Sequence, residues 1–205
     1  ALTLIVEAVD SLSSTADSHK RTFVVEVMGR HCGYLALVAT LLTGADYVFY
    51  PECPPGATFA PNQRFDEHGE WTWQELLCHA IRSRRSQGRN RRSSIIIVCE
   101  GAIDRHSQPI TSAMVADVVR VCLGHDTRIT VLGHVQRGGG PTVQDRYIAT
   151  LCGVGAIDYL INNYEGPALV GVEGVRAVCR PLMDCVELSR RATDALKTGD
   201  FRTAF

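Results

Sequence analysis

Residues 21–44 read "RTFVVEVMGRHCGYLALVATLLTG". Residues 21–28 are rich in β-branched side chains and read as a strand. Residues 33–44 read as a helix closed by Gly44. Strand, short polar turn and helix make the repeating unit of a parallel sheet. The turn is the odd part. An apolar strand runs into Met28-Gly29-Arg30, and His31 and Cys32 follow at once. Three readings compete: a metal site, a thiol catalyst, or an anion-binding corner in which only the arginine matters. A neighbouring His and Cys with no further spaced ligands make a poor metal set. A thiol nucleophile needs a base and a depressed pKa, and only Arg30 stands nearby.

The same alternation runs outward from this stretch. "LTLIVEAVDSL" (2–12) has helical spacing, and "ADYVFYPE" (45–52) is a short strand ended by Pro51. Residues 52–70 are rich in Pro, Gly and charge and read as a surface insertion. "WTWQELLCHAIRSRRSQG" (71–88) reads as a helix. "SSIIIVCEGA" (93–102) is apolar almost without alternation, as in a strand covered on both faces. "ITSAMVADVVRVCLG" (110–124) is a helix with Thr111 or Ser112 as its N-cap and Gly124 as its stop. Val115, Val118, Val119, Cys122 and Leu123 form its apolar face. "DTRITVLGHV" (126–135) is a strand, "QRGGGP" (136–141) a glycine-rich turn, and residues 142–162 a long helix. "PALVGVEGVRAVCRPL" (167–182) reads as strand, Glu-Gly turn, strand, and "MDCVELSRRATDALKTG" (183–199) as a last helix. The rhythm predicts an α/β fold: three layers, α/β/α, around a mostly parallel sheet.

Composition sets outer bounds. The 205 residues are 45% hydrophobic and 21% charged, enough for one sizeable core or two small lobes. A net charge of -1 gives no basic field of the kind that attracts nucleic acid. Charges interrupt every apolar run before it could span a membrane. The eight cysteines have irregular gaps and no C-x-x-C spacing, so they read as buried free thiols in a reducing cytoplasm. The N-terminus lacks both a signal peptide and an initiator Met, and it starts inside a helical pattern. A fragment of a longer protein is expected.

Ligands of open α/β sheets gather at the carboxyl ends of strands. There the sequence delivers Met28-Gly29-Arg30, Glu100-Gly101, and Gly133-His134 followed by Gln136-Arg137 and three glycines. Two arginines and a histidine suit a phosphate, and a carboxylate suits a hydroxyl, so a phosphorylated sugar matches the set. Each residue also has a bland reading: Arg30 as a salt bridge, His134 as a structural histidine, Glu100 as a turn cap. The turn "QRGGGP" could cradle an anion at a helix N-terminus or simply connect strand to helix. Arg21 and Arg128 stand at strand starts, the opposite edge, and could reach this pocket only from another subunit. Six arginines at 82, 84, 85, 89, 91 and 92, near Trp71 and Trp73, raise a nucleic-acid patch. A solvated helix C-terminus explains them better.

Three motifs in order, "SHKRTFVVEVMGRHCGYLAL", "VCEGAID" and "DTRITVLGHVQRGGGP…DR", resemble the sugar-phosphate half of 6-phosphofructokinases. The likeness runs from about residue 1 to about residue 160 and more loosely beyond. Its motif forms resemble the catalytic N-terminal half of the large eukaryotic ATP-dependent enzymes. The resemblance implies an incomplete phosphofructokinase-like fold. Residues 1–135 would form the smaller sugar-phosphate lobe, 136–175 a partial return to the larger ATP-binding lobe, and 176–205 a C-terminal strand-helix segment. It implies that Met28, Gly29, Arg30 and Glu100 bind fructose 6-phosphate, and that Arg30 also stabilises the transferring phosphoryl group. His134 and Arg137 would hold the 6-phosphate, with Arg21 and Arg128 donated across a subunit interface of a homo-oligomer, a tetramer or larger. His31 and Cys32 then become packing residues at the helix start.

The family's Gly-Gly-Asp nucleotide loop and its Thr-Ile-Asp motif, which carries the catalytic base, do not occur in the sequence. ATP and Mg2+ are therefore expected as cofactors of a longer enzyme, with few of their ligands and no metal site here. Gly140 and "TVQDR" depart from the usual motif. By weaker analogy to bacterial relatives, Gly44, Asp46, Arg89 and Arg91 would form an effector site. The expected activity is phosphorylation of fructose 6-phosphate by MgATP in the cytoplasm, with no nucleic-acid or membrane partner. The rival is a non-catalytic, sugar-phosphate-binding regulatory half of the same type of enzyme.

Overall fold

The computed structural model describes residues 1–55, 71–86, 93–124, 126–162 and 165–197. It divides into two compact units, Ala1–Gly138 and Gly139–Phe205. This division lies just beyond the expected 135/136 boundary. The expected 175/176 boundary falls in the turn of a hydrogen-bonded hairpin of the second unit.

The first unit is a three-layer α/β/α sandwich. Its elements are α1 (Leu2–His19), β1 (Thr22–Val27), α2 (Tyr34–Thr43), β2 (Tyr47–Phe49), α3 (Trp73–Ser86), β3 (Ser94–Cys99), α4 (Ser112–Leu123) and β4 (Thr127–Val131). A 3-10 turn over Gly133–Arg137 follows. The four strands are all parallel and lie in the order β2-β3-β1-β4. Helices α1 and α2 pack on one face of the sheet, and α3 and α4 on the other. Every residue of β3 is buried, which is why its sequence shows no alternation. The core joins Val24, Val25 and Val27 of β1 to Ile95–Cys99 of β3, with Ile5 and Val9 of α1 and Val115 and Val119 of α4.

Helix ends follow local chemistry. Gly44 and Gly124 close α2 and α4 in the left-handed conformation. Thr111, not Ser112, caps α4, accepting from the Met114 N–H at 3.2 Å. Ser112 instead donates to the Glu26 carboxylate of β1. The apolar face of α4 is narrower than expected: Ser112, Val115, Ala116 and Val119 are buried, while Cys122 is exposed. Of the eight thiols only Cys78 and Cys99 are buried, and Cys32, Cys122 and Cys179 are exposed. Apolar runs at helix ends put some positions into solvent, so the expectation of generally buried thiols is corrected. The strand expected over 126–135 is also shorter. It stops at Val131, and Gly133 at φ 52 turns the chain into the 3-10 segment.

The second unit contains α5 (Val143–Asn162), the antiparallel hairpin β5 (Ala168–Glu173) and β6 (Arg176–Pro181), and α6 (Leu182–Lys197). Helix α5 begins in a capping box: the Thr142 N–H and hydroxyl both donate to Asp145 Oδ2, at 2.8 and 2.7 Å. Gly155 lets the hairpin approach α5, because a Cβ there would lie 2.6 Å from the Ala177 Cβ. Among the described residues, no helix is long and apolar enough to cross a membrane.

Candidate functional site

The strand order creates one topological switch. Strands β1 and β3 are neighbours, but the helix after β1 (α2) lies on one face and the helix after β3 (α4) on the other. In open α/β sheets the crevice at such a point, outside the carboxyl ends of the strands, is the usual ligand position. Met28-Gly29-Arg30 leaves from β1 and Glu100-Gly101 from β3. Register levels them: Val27 lies opposite Cys99, and Glu26 opposite Val131. Met28, Glu100 and Gly133 therefore emerge side by side from strands about 4.8 Å apart.

The crevice wall is stitched through main chain. Glu100 N–H donates to Val27 C=O at 2.8 Å, and Gly101 N–H to Gly29 C=O at 2.9 Å. Gly29 has φ 147, a conformation that L side chains rarely adopt. A Cβ on Gly29 would sit 2.6 Å from Cys99 Sγ, and one on Gly101 only 2.0 Å from the Arg30 carbonyl oxygen. The Cys99 thiol donates to Gly29 C=O at 2.8 Å, and burial pushes its pKa up to about 11. It is a protonated strut under the loop, not a nucleophile.

The expected side chains divide into two groups. Arg30, Glu100, His134 and Arg137 are exposed at the carboxyl end of the sheet. None has a hydrogen-bond or ion-pair partner among the described residues, so their polar heads are available to a ligand. Arg21 and Arg128 lie at the amino edge, where Asp126 gathers them: Arg21 Nε donates to Asp126 Oδ2 at 2.6 Å, and Arg128 lies 3.5 Å from Oδ1. The hydrogen bond from Arg21, with the nearby guanidinium charges, holds the Asp126 carboxyl below its ordinary range. One carboxylate between two arginines leaves the pair net positive.

His31 and Cys32 are exposed, so they are not packing residues. The helix starts two positions beyond Cys32, and the buried residue there is Gly33. Its N–H donates to both Glu52 carboxylate oxygens, at 2.7 and 2.9 Å. The N-terminus of α2 is thus filled by an internal anion. The same holds for α3, where Glu75 accepts from the Thr72 N–H, and for α5 through Asp145. The N-terminus of α5, the helix that follows the glycine-rich turn, is therefore occupied by the Asp145 carboxylate.

Gly44 and Asp46 lie at the start of β2, where Asp46 is already engaged. Its Oδ2 accepts from the Ile95 N–H at 2.9 Å, and its Oδ1 from Arg84 at 3.2 Å. The adjoining cavity is about 30 Å³, the room of a single water. Arg89 and Arg91 lie outside the described residues. In the second unit, a cleft of about 550 Å³ is lined by Leu151, Val154, Tyr159 and Ala177 with Asp158 and Glu165, and by no basic side chain, which unsuits it for phosphate. Among the described residues no cluster of His, Cys, Asp and Glu could hold a metal.

Two contributors were not singled out from the sequence. Glu52 follows a proline in a segment read as insertion. Gln136 sits between a valine and an arginine, and nothing in its neighbours marks it as buried.

Comparisons with known proteins agree with this geometry. A family model described as Phosphofructokinase matches residues 1–160. The muscle-type ATP-dependent 6-phosphofructokinase of Oryctolagus cuniculus is 48% identical, and that of Homo sapiens 47%, each over the whole of this chain. The chain spans 24% of the length of those relatives. Among solved structures, phosphofructokinase from Saccharomyces cerevisiae superposes with a TM-score of 0.81 at 40% identity, covering 99% of this chain and 25% of that one. The Pichia pastoris phosphofructokinase in the T-state gives 0.79 at 39% identity, covering 99% and 21%. With the family model matched over residues 1–160 and 47–48% identity to those relatives along the whole chain, the chain belongs to the phosphofructokinase family.

Proposed function

We propose that this chain supplies the fructose 6-phosphate site of an ATP-dependent 6-phosphofructokinase, which transfers a phosphoryl group from MgATP to the 1-hydroxyl of the sugar. The carrying observation is the level placement of Arg30, Glu100 and the His134–Arg137 turn around the β1/β3 switch point. In this reading Met28, Gly29 and Glu100 hold the sugar, the carboxylate accepting from a hydroxyl. His134 and Arg137 hold the 6-phosphate. Arg30 offsets the negative charge that develops during transfer, where positioning and electrostatics do most of the catalysis. Arg21 and Arg128, paired at the far edge of the sheet, serve the site of a neighbouring subunit in a homo-oligomer. Residues 1–135 act as the sugar-phosphate lobe, 136–175 lead toward the ATP-binding lobe, and 176–205 form the closing strand-helix segment. The sequence contains neither Gly-Gly-Asp nor Thr-Ile-Asp, so ATP, Mg2+ and the catalytic base are held by residues outside this chain. The assembled enzyme works in the cytoplasm, and the T-state of the Pichia pastoris relative supports allosteric control.

The test is direct binding. The purified 205-residue chain is titrated with fructose 6-phosphate, fructose and inorganic phosphate by calorimetry. Fructose 6-phosphate is expected to bind more tightly than either component, with Arg30→Ala and Glu100→Gln each weakening it. Equal affinity for fructose and its 6-phosphate would overturn the reading. Mixing Arg128→Ala chains with Arg30→Ala chains is expected to restore part of the binding, since a shared site can then draw one intact residue from each. The chain alone is expected to show no ATP-dependent turnover, which separates supply of the sugar site from a complete kinase.

A further inference from the structure

Gln136 is 1% exposed, and among the described residues the other large, fully buried side chains are apolar. A buried amide needs partners, because desolvating it unpaired is unfavourable. This one has two. Its Oε1 accepts from the Met28 N–H at 3.2 Å, and its Nε2 donates to Gly133 C=O at 3.0 Å. The position of those partners gives the amide its meaning. The β1–β4 ladder ends where Leu132 N–H donates to Glu26 C=O, and β4 then turns away at Gly133. Met28 would be left without a neighbour on that side. The Gln136 side chain supplies the next rung in place of the departed strand.

The rung joins the two halves of the crevice. Met28 leads into Gly29 and Arg30. Gly133 opens the turn that presents His134 and Arg137, both exposed, on either side of the buried Gln136. We propose that Gln136 is a positioning residue that sets the spacing between the Arg30 half and the His134–Arg137 half of the sugar-phosphate site. The proposal rests on the fructose 6-phosphate reading of that site. Its consequence is specificity: a fixed spacing between the group facing the reacting end and the groups facing the phosphate selects the length of sugar that fits.

The experiment uses the full 205-residue chain. Gln136→Met removes both hydrogen bonds at similar volume, and Gln136→Glu keeps an acceptor for Met28, serving if the methionine variant does not fold. Hydrogen exchange at the Met28 amide is expected to accelerate in Gln136→Met. Fructose 6-phosphate affinity is expected to fall about tenfold, within the range of couplings measured inside one hydrogen-bond network. Binding is also measured for Arg137→Ala alone and for the double variant. If Gln136 acts through the turn, the double variant binds no worse than Arg137→Ala by more than about twofold. Fully additive losses, or unchanged exchange at Met28, would overturn the positioning role while leaving the sugar-phosphate reading intact. A wild-type chain that does not bind fructose 6-phosphate overturns the reading itself, and the proposal with it.

Discussion

The substitution Gly101→Ala tests how the crevice is held open. A Cβ at position 101 would lie 2.0 Å from the Arg30 carbonyl oxygen, 2.6 Å from its carbonyl carbon and 2.8 Å from the Gly29 oxygen. All three are main-chain atoms, so no rotamer change relieves the contact. The Met28–Arg30 loop must retreat by more than ~1 Å to reach ordinary contact distance. That shift also breaks the 2.9 Å bond from Gly101 N–H to Gly29 C=O. Overpacking of this kind costs about 1–3 kcal/mol, and the lost hydrogen bond about 1 kcal/mol. The expected destabilisation is therefore ~2–4 kcal/mol, with the backbone of Arg30 displaced. Both tryptophans, Trp71 and Trp73, lie in the first unit, so tryptophan fluorescence reports unfolding of that unit alone. With a urea slope of about 2 kcal/mol/M, the middle of the usual range, the midpoint should fall by roughly 1–2 M. A variant within about 0.5 kcal/mol of wild type, with unchanged fructose 6-phosphate affinity, would refute the account of the loop contact.

Three further outcomes are expected. Burial, the largest cause in each case, pushes Tyr47, Tyr50 and Cys78 up to about 12 and Cys99 up to about 11. The fold keeps these groups protonated where the unfolded chain would ionise them, so their contribution is complete below pH 9 and lost as pH rises from about 9 to 12; a urea midpoint that stays flat across that window would contradict it. In α5, Gly155→Ala is expected to destabilise the second unit by about 1–3 kcal/mol against Ala177, whereas Gly153→Ala, with open space around its Cβ, should stabilise the helix by up to ~1 kcal/mol; circular dichroism melts of the two variants should move in opposite directions. In a full-length kinase carrying this chain, Arg30→Ala should lower kcat by on the order of 10²–10³, and an unchanged kcat would remove Arg30 from the mechanism.

Much of the fold was legible because its signals are local. The unalternating "SIIIVC" of β3 announces a strand covered on both faces. Gly44 and Gly124 mark helix ends because a left-handed residue can close a helix with little strain only when it lacks a Cβ. Errors arose where a distant partner overrode the local pattern. "DTRITVLGHV" reads as one strand, yet the chain leaves the sheet after Val131 and Gln136 is drawn inside. His31 and Cys32 look like the packed start of a helix, yet Gly33 and the carboxylate of Glu52 occupy that corner.

What the sequence by itself determined was the class of fold and the residue types at each strand end: Arg30, Glu100, His134 and Arg137 on one edge, Arg21 and Arg128 on the other. Periodicity and glycine placement suffice for that, because both are properties of a few consecutive residues. Only the tertiary structure decided which strand ends are neighbours. The order β2-β3-β1-β4 is set by burial of each helix against a chosen face, and no short stretch encodes it. That order puts the helices after β1 and β3 on opposite faces, opens the crevice at Arg30 and Glu100, and leaves Met28 to a glutamine more than a hundred positions away.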